Sequence, residues 1–190
     1  MKLIQPGNSK LGKHIYMFNL PATREVCGRT CKGCYAIKEQ VRFPTSVVPA
    51  RQARYDASLQ LDFSSRIISE LSALRNKPKY FRVHSSGEFY DAAYLGKWER
   101  IAKSLPNITF YAYTKRKKDF DFSKLESLPN FILIDSFHFG RINYGKLDKA
   151  PKNAFICPDQ PNSDTQCGVT CTYCMKKDGA GTNGVYFRQH

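Results

Sequence analysis

Three thiols stand at spacing C-x3-C-x2-C in Cys27-Gly28-Arg29-Thr30-Cys31-Lys32-Gly33-Cys34, with Tyr35 and Ala36 directly after. Cysteine acts as a nucleophile or metal ligand in its thiolate form. Three thiolates on one short loop suit an iron–sulfur cluster that leaves one iron open to an outside ligand. Structural zinc takes four protein ligands, one more than this loop supplies. The plain alternative is three reduced cysteines in a tight loop, which Gly28 and Gly33 allow the backbone to form.

A second group, Cys157, Cys167, Cys171 and Cys174, reads C-x9-C-x3-C-x2-C. Four thiolates fill a tetrahedral site, and zinc and [4Fe-4S] are both chemically reasonable there. The run C-G-V-T-C-T-Y-C echoes C-G-R-T-C-K-G-C, which favours one metal type in both places and iron–sulfur ahead of zinc. The alternative is a zinc knuckle that pins the C-terminus, with folding dependent on the metal.

The elements around these residues alternate. His14–Leu20 is an apolar run of strand length that Pro21 ends, after an arm over residues 1–13. The cysteine loop follows. Val47–Leu61 reads as a helix, with Pro49 tolerated in its first turn. Asp62 caps the next, whose apolar face is Phe63, Ile67, Leu71 and Leu74. Lys79–His84 is a second strand. Asp91 then caps a helix that turns Leu95, Trp98, Ile101, Ala102 and Leu105 inward. Asn107–Tyr113 is a third strand, Ser123–Glu126 a capping box, and Phe131–Ile134 a strand apolar enough to be buried on both faces. Asn153–Ile156 is a fifth strand, and 179–184 turn into a last one over Val185–Arg188. This order predicts an α/β fold with a parallel sheet, either a barrel fragment or an open doubly wound form. The expected division is an α/β core over residues 1–150 and a four-cysteine metal-binding extension over 151–190 packed on it.

The first cysteine loop, leaving a strand, resembles the cluster loop of the radical S-adenosylmethionine (radical SAM) superfamily. There C-x3-C-x2-C follows the first barrel strand and holds a [4Fe-4S] cluster whose open iron chelates S-adenosylmethionine. Gly33 replaces the aromatic residue usual before the third cysteine, and Tyr35 falls just after it. About 50 residues on, Ser85-Ser86-Gly87-Glu88 occupies the place of that family's G-G-E motif. The resemblance implies a partial (βα) barrel. It places a cluster on Cys27, Cys31 and Cys34, and S-adenosylmethionine beside Tyr35, Ser86, Gly87 and Glu88. It makes the C-terminal cysteines an auxiliary cluster. A Cys-Lys-Gly-Cys-Tyr-Ala loop in a compact basic chain also resembles a family of small phage-encoded proteins with uncertain biochemical roles.

Charge bears on partners. Thirty basic against 16 acidic residues give a net charge of +14, and Lys115-Arg116-Lys117-Lys118 is the densest run. Such a field attracts polyanions, nucleic acid among them; the bland reading is a solvated surface. An odd count of seven cysteines in two groups argues against a secreted disulfide framework. No apolar run reaches membrane-span length, and Met1–Gly7 lacks a signal-peptide core. The expected location is cytoplasmic, with no membrane partner. His84, His138, Thr114, Asp135 and Ser136 lie near strand ends, where only placement supports a role. Two functions follow. One is an enzyme that takes an electron from a reductant, cleaves S-adenosylmethionine and runs radical chemistry on an unknown substrate. The alternative is a non-catalytic iron–sulfur or zinc module that contacts nucleic acid or a host protein through its basic surface.

Overall fold

Alternation along the strands decides the layers. In Tyr80-Phe81-Arg82-Val83, Phe81 and Val83 turn to one face of the sheet and Tyr80 to the other, as period-two geometry requires. The same split runs through each neighbouring strand. The computed structural model describes residues 2–7, 11, 15–29, 31, 33–136, 141–142, 155–158, 165–178, 185 and 187–188.

Five strands form one mixed sheet in sequential order: β1 (Gln5–Pro6), β2 (Ile15–Phe18), β3 (Tyr80–Val83), β4 (Thr109–Thr114) and β5 (Phe131–Asp135). β2 to β5 pair in parallel, with Phe18 opposite Val83, Val83 opposite Ala112 and Thr114 opposite Asp135. β1 is antiparallel to β2, with Gln5 opposite Met17. It occupies the free edge of β2, so the sheet is open and no barrel is formed among the described residues. The α/β class and mostly parallel sheet are as expected; the antiparallel β1 replaces part of the expected arm.

One face carries the helices: α3 (Val47–Leu59), α4 (Phe63–Ser72), α5 (Ala92–Ser104) and the short α6 (Ser123–Glu126), preceded by α1 (Arg24–Cys27) and α2 (Tyr35–Arg42). Phe63, Ile67 and Leu71 of α4 and Tyr94, Trp98 and Ile101 of α5 pack on Phe18, Phe81, Phe110 and Phe131. Trp98 is fully buried, edge-on to Phe18 at 5.7 Å and to Phe63 at 5.8 Å. Side chains of this size each contribute about 1.5–3 kcal/mol on burial. Asp91 caps α5, its carboxylate accepting from the Tyr94 N–H at 2.6 Å. The expected caps at Asp62 and Ser123 differ. Asp62 holds the N-cap place without a side-chain bond. Ser123 lies inside α6, its N–H donated to Asp121 at 2.9 Å, so no capping box forms.

The other face, lined by Ile15, Met17, Tyr80, Tyr111, Ile132 and Ile134, is covered by the cysteine-rich segment through Cys157, Met175 and Val185. Phe155 stacks on Tyr173 at 3.7 Å. Of the expected fifth strand, residues 153–154 lie outside the described residues, and Ile156 makes an isolated bridge instead of a strand. The expected last strand is shorter: β7 (Phe187–Arg188) pairs in parallel with β6 (Arg141–Ile142). No helix among the described residues is long and apolar enough to cross a membrane.

Candidate functional site

The parallel strands end along one edge, where open α/β sheets place ligands. The chain stitches its loops together there. Asn19, just after β2, accepts at Oδ1 from the N–H groups of Ser85 (2.7 Å) and Ser86 (3.1 Å). The Ser86 hydroxyl donates to the Leu20 carbonyl at 2.9 Å, and the Leu20 N–H donates to the Ser86 carbonyl at 2.9 Å. Gly87 follows with φ +86°, and a Cβ there would lie 2.5 Å from the Leu20 Cβ. This position therefore accepts glycine alone.

Glu88 is buried at 8% exposure. One carboxylate oxygen accepts from Thr114 Oγ1 and the other from the Lys115 N–H, each at 2.9 Å. Burial raises its pKa above the ordinary carboxylate value, and these hydrogen bonds oppose the rise.

The cysteine loop reaches the same place. Thr23 caps α1 by accepting from the Val26 N–H at 3.3 Å. Cys27 thus sits on a helical turn, which Gly28 ends at φ +70° with its N–H on the Arg24 carbonyl at 2.8 Å. Arg116 lies against Gly28, where a Cβ would fall 2.5 Å from Nη1. Asp119 accepts from Arg29 at 3.2 Å and from Arg116, tying this loop to the one after β4. Those partners, Arg116 first, hold the Asp119 carboxyl below its usual range. Lys115 Nζ donates to the Cys31 sulfur at 3.2 Å. The Cys27 thiol is pushed up to about 12, chiefly by burial and then by the Glu88, Cys34 and Cys31 charges, with Lys115 opposing.

So the three thiols, Glu88 and Lys115 do converge. Ser86 and Gly87 are spent on backbone geometry. Tyr35 opens α2, donates its hydroxyl to the Ser85 carbonyl and leaves 47% of its surface exposed. Thr114 orients both Glu88 and the Arg116 N–H, the latter at 2.9 Å. Asp135 ends β5 beside Thr114, and the Ser136 N–H donates to the Thr114 carbonyl at 2.7 Å. His84 is buried in the aromatic core, away from the crevice, and His138 lies outside the described residues. Asn19 and Asp119 were missed in the sequence; the one visible signal was a polar residue closing the apolar run 15–18.

The C-terminal thiols gather against the opposite face. Burial pushes the Cys174 thiol up to about 12, with Cys157, Cys167 and Cys171 adding to the rise and a Tyr113 hydrogen bond opposing it. Beside them the Arg82 guanidinium stacks over the Tyr113 ring at 5.2 Å, and its buried Nε has no hydrogen-bond partner among the described residues. Among the described residues, no group of three His, Cys, Asp or Glu side chains is arranged to hold a metal ion.

Comparison with known proteins places this architecture. The family model described as Gene product 88 matches residues 1–172, from β1 to the third C-terminal cysteine. The chain belongs to the Gene product 88 family. It is 28% identical over 149 residues to the Gene 88 protein of Mycobacterium phage L5, covering 73% of this chain and 61% of that protein. It is 27% identical over 127 residues to the Gene 88 protein of Mycobacterium phage D29, covering 63% and 52%. The chain thus spans less than two thirds of these relatives. No solved structure matches.

The family match corrects the radical SAM resemblance, and with it the iron–sulfur enzyme that cleaves S-adenosylmethionine. The metal-module alternative likewise finds no ligand group among the described residues. The short motifs misled for physical reasons. Ser86 and Gly87 are fixed by the β2–β3 junction, and both Glu88 oxygens already accept from the chain itself.

Proposed function

We propose that this Gene product 88 family member binds a polyanion, of which nucleic acid is the first to test, at the C-terminal edge of its sheet. The observation that carries this is the run Lys115–Lys118. It leaves β4 directly over the cysteine loop, with Arg116 fixed by Thr114 and Asp119 and with Lys117 and Lys118 exposed. Lys117 is held by Glu126 and Lys118 is exposed beside it, and such a row of cations suits a phosphate backbone, read by charge more than by sequence. Affinity for a labelled DNA or RNA oligonucleotide should then fall steeply with added salt. Replacing Lys117 and Lys118 with Gln should flatten that dependence by up to about one log unit of slope per lysine. No binding at low salt would sink this reading, and so would an unchanged slope.

A narrower reading concerns cofactors, and Arg82 motivates it. Burial acts most strongly on Arg82, and the side chains that act on it after burial are Tyr35, Tyr111, Tyr113 and Cys174, with no carboxylate among them. A buried cation needs an anion nearby, and thiolates on a soft divalent ion would supply one. We therefore include in the proposal uptake of such an ion by Cys157, Cys167, Cys171 and Cys174, which would have to draw these thiols closer together than they stand here, together with the division into a core over residues 1–150 and an extension over 151–190. Cobalt(II) titration tests the site, because thiolate ligation gives intense charge-transfer bands that Cys171→Ser should remove. For the architecture, sequential βα units with every crossover helix on one face favour the curvature of a partial barrel over a doubly wound sheet.

A further inference from the structure

A cavity of about 400 Å³ lies between the β1–β2 edge and helices α2 and α3, with Tyr35 and Ser85 in its wall. Arg51 and Arg54, one turn apart on α3, both line it. Arg51 is committed to structure. It is buried, pairs with Glu39, and donates to the Ala36 carbonyl at 3.1 Å and to Gln40 at 3.3 Å. Arg54 is only partly committed: Nε donates to the Leu3 carbonyl at 2.9 Å and Nη1 to the Ala50 carbonyl at 3.2 Å. Its Nη2 has no acceptor among the described residues. Burial and then the neighbouring Arg51 charge weaken the hold of Arg54 on its proton, and Glu70 offsets part of this. Two like charges are therefore held close together beside an open cavity, with Glu39 the one acid in the described wall.

The same wall contains the start of α3. Ser46 holds the N-cap place without a side-chain bond, and the first turn carries no acidic residue. Of the first-turn N–H groups, Val47 donates to the Phe43 carbonyl at 2.9 Å and Pro49 has none, so among the described residues Val48 is the donor left to meet an anion at the positive end of this helix. Pro6, Met17 and Val47 give the wall an apolar part. Arginine forks and helix N-termini are complementary to phosphate oxygens. A cavity of this volume lies within the range that small organic ligands occupy.

We propose that this cavity binds a small phosphate ester of mononucleotide size, its phosphate between Arg54 and the first turn of α3 and its organic part on the apolar wall. The site is separate from the Lys115–Lys118 rim and does not depend on that rim binding a polymer.

Isothermal titration of the full chain with 5′-AMP, inorganic phosphate and adenosine tests it. AMP should bind, and adenosine should bind at least ~tenfold more weakly, because it lacks the charge the arginine reads. Arg54→Gln should weaken AMP by about tenfold or more. Ser46→Asp should weaken it several-fold while leaving the melting temperature at or above wild type, since Asp caps a helix as well as Ser. That variant separates loss of the site from loss of the fold. The Lys117→Gln, Lys118→Gln double variant should leave AMP binding unchanged, so this site and the rim fail independently. The proposal is overturned if AMP does not bind at millimolar concentration. It is also overturned if adenosine or phosphate alone binds as tightly as AMP, or if Ser46→Asp and Arg54→Gln leave the affinity unchanged.

Discussion

His84 makes the acid stability of this protein calculable. It directly follows β3 with φ +64°, 3% exposed, its Nε2 2.8 Å from the Tyr94 hydroxyl and its Nδ1 without a partner among the described residues. Its ring stacks on Tyr94 at 5.7 Å and meets the Phe89 edge at 4.8 Å. Burial pulls its pKa from 6.5 down to about 3. The unfolded chain therefore binds a proton from about pH 6.5 that the folded chain refuses until about 3, so acid favours unfolding. The stability owed to neutral His84 is complete above pH 6.5 and is withdrawn as pH falls, at about 1.4 kcal/mol per pH unit, roughly 4–5 kcal/mol in all. That is a large fraction of the about 5–15 kcal/mol that holds a typical domain together. Glu88 works in the opposite sense. Its raised folded pKa means that protonation above its unfolded value favours the fold. The comparison that isolates His84 is with His84→Asn, because Asn tolerates a positive φ and does not titrate. Urea unfolding followed by circular dichroism between pH 7 and pH 4 should show the wild type losing stability faster than the variant by about 1.4 kcal/mol per unit. Parallel pH profiles for the two proteins would refute the argument.

Two further predictions concern the strand edge. Gly87→Ala should destabilise the protein by about 1–3 kcal/mol in thermal or chemical melts, because φ +86° and the 2.5 Å approach to Leu20 both oppose a Cβ; an unchanged melt would contradict that packing. Cys27 should be alkylated by iodoacetamide at pH 8 much more slowly than an unstructured cysteine peptide in a mapped time course, since its thiol is pushed up to about 12; equal rates would contradict the burial of that thiol.

The sheet was legible because its strands are apolar and aromatic runs between breakers. Expected strands over 14–20, 79–84, 107–113 and 131–134 fall on β2 to β5 to within two residues. Trp98 and its neighbours read as an inward face because they recur at helical spacing. Helix α2 was not legible although Tyr35–Arg42 contains neither Gly nor Pro, because Ala36 is its one buried residue and no apolar stripe marks it. The convergence of Cys27 with Glu88 followed from strand direction alone. What each group does there was not readable. The spacing of Ser86-Gly87-Glu88 is the same whether the residues await a ligand or, as here, satisfy Leu20, Thr114 and Lys115. The cavity between α2 and α3 was illegible for a related reason. Arg51 and Arg54 look like ordinary surface charge on a helix until α2 is folded against them.

The two faces of the sheet imply different fates under stress. The helical side is a continuous aromatic core, anchored by crossovers that enter and leave the strands themselves. The opposite side is roofed by a segment that, among the described residues, meets the main sheet through side chains such as Met175 and Val185, with an isolated bridge at Leu11, and shares no strand pairing with it. Such a roof can open as a cooperative unit of its own while the rest stays folded. Once lifted, it bares Ile15, Tyr80, Tyr111, Ile132 and Ile134 as one contiguous apolar sheet surface, the kind of patch that drives self-association. Limited proteolysis near the second thiol group would therefore be followed by aggregation of the remaining domain, well before the helical core begins to melt.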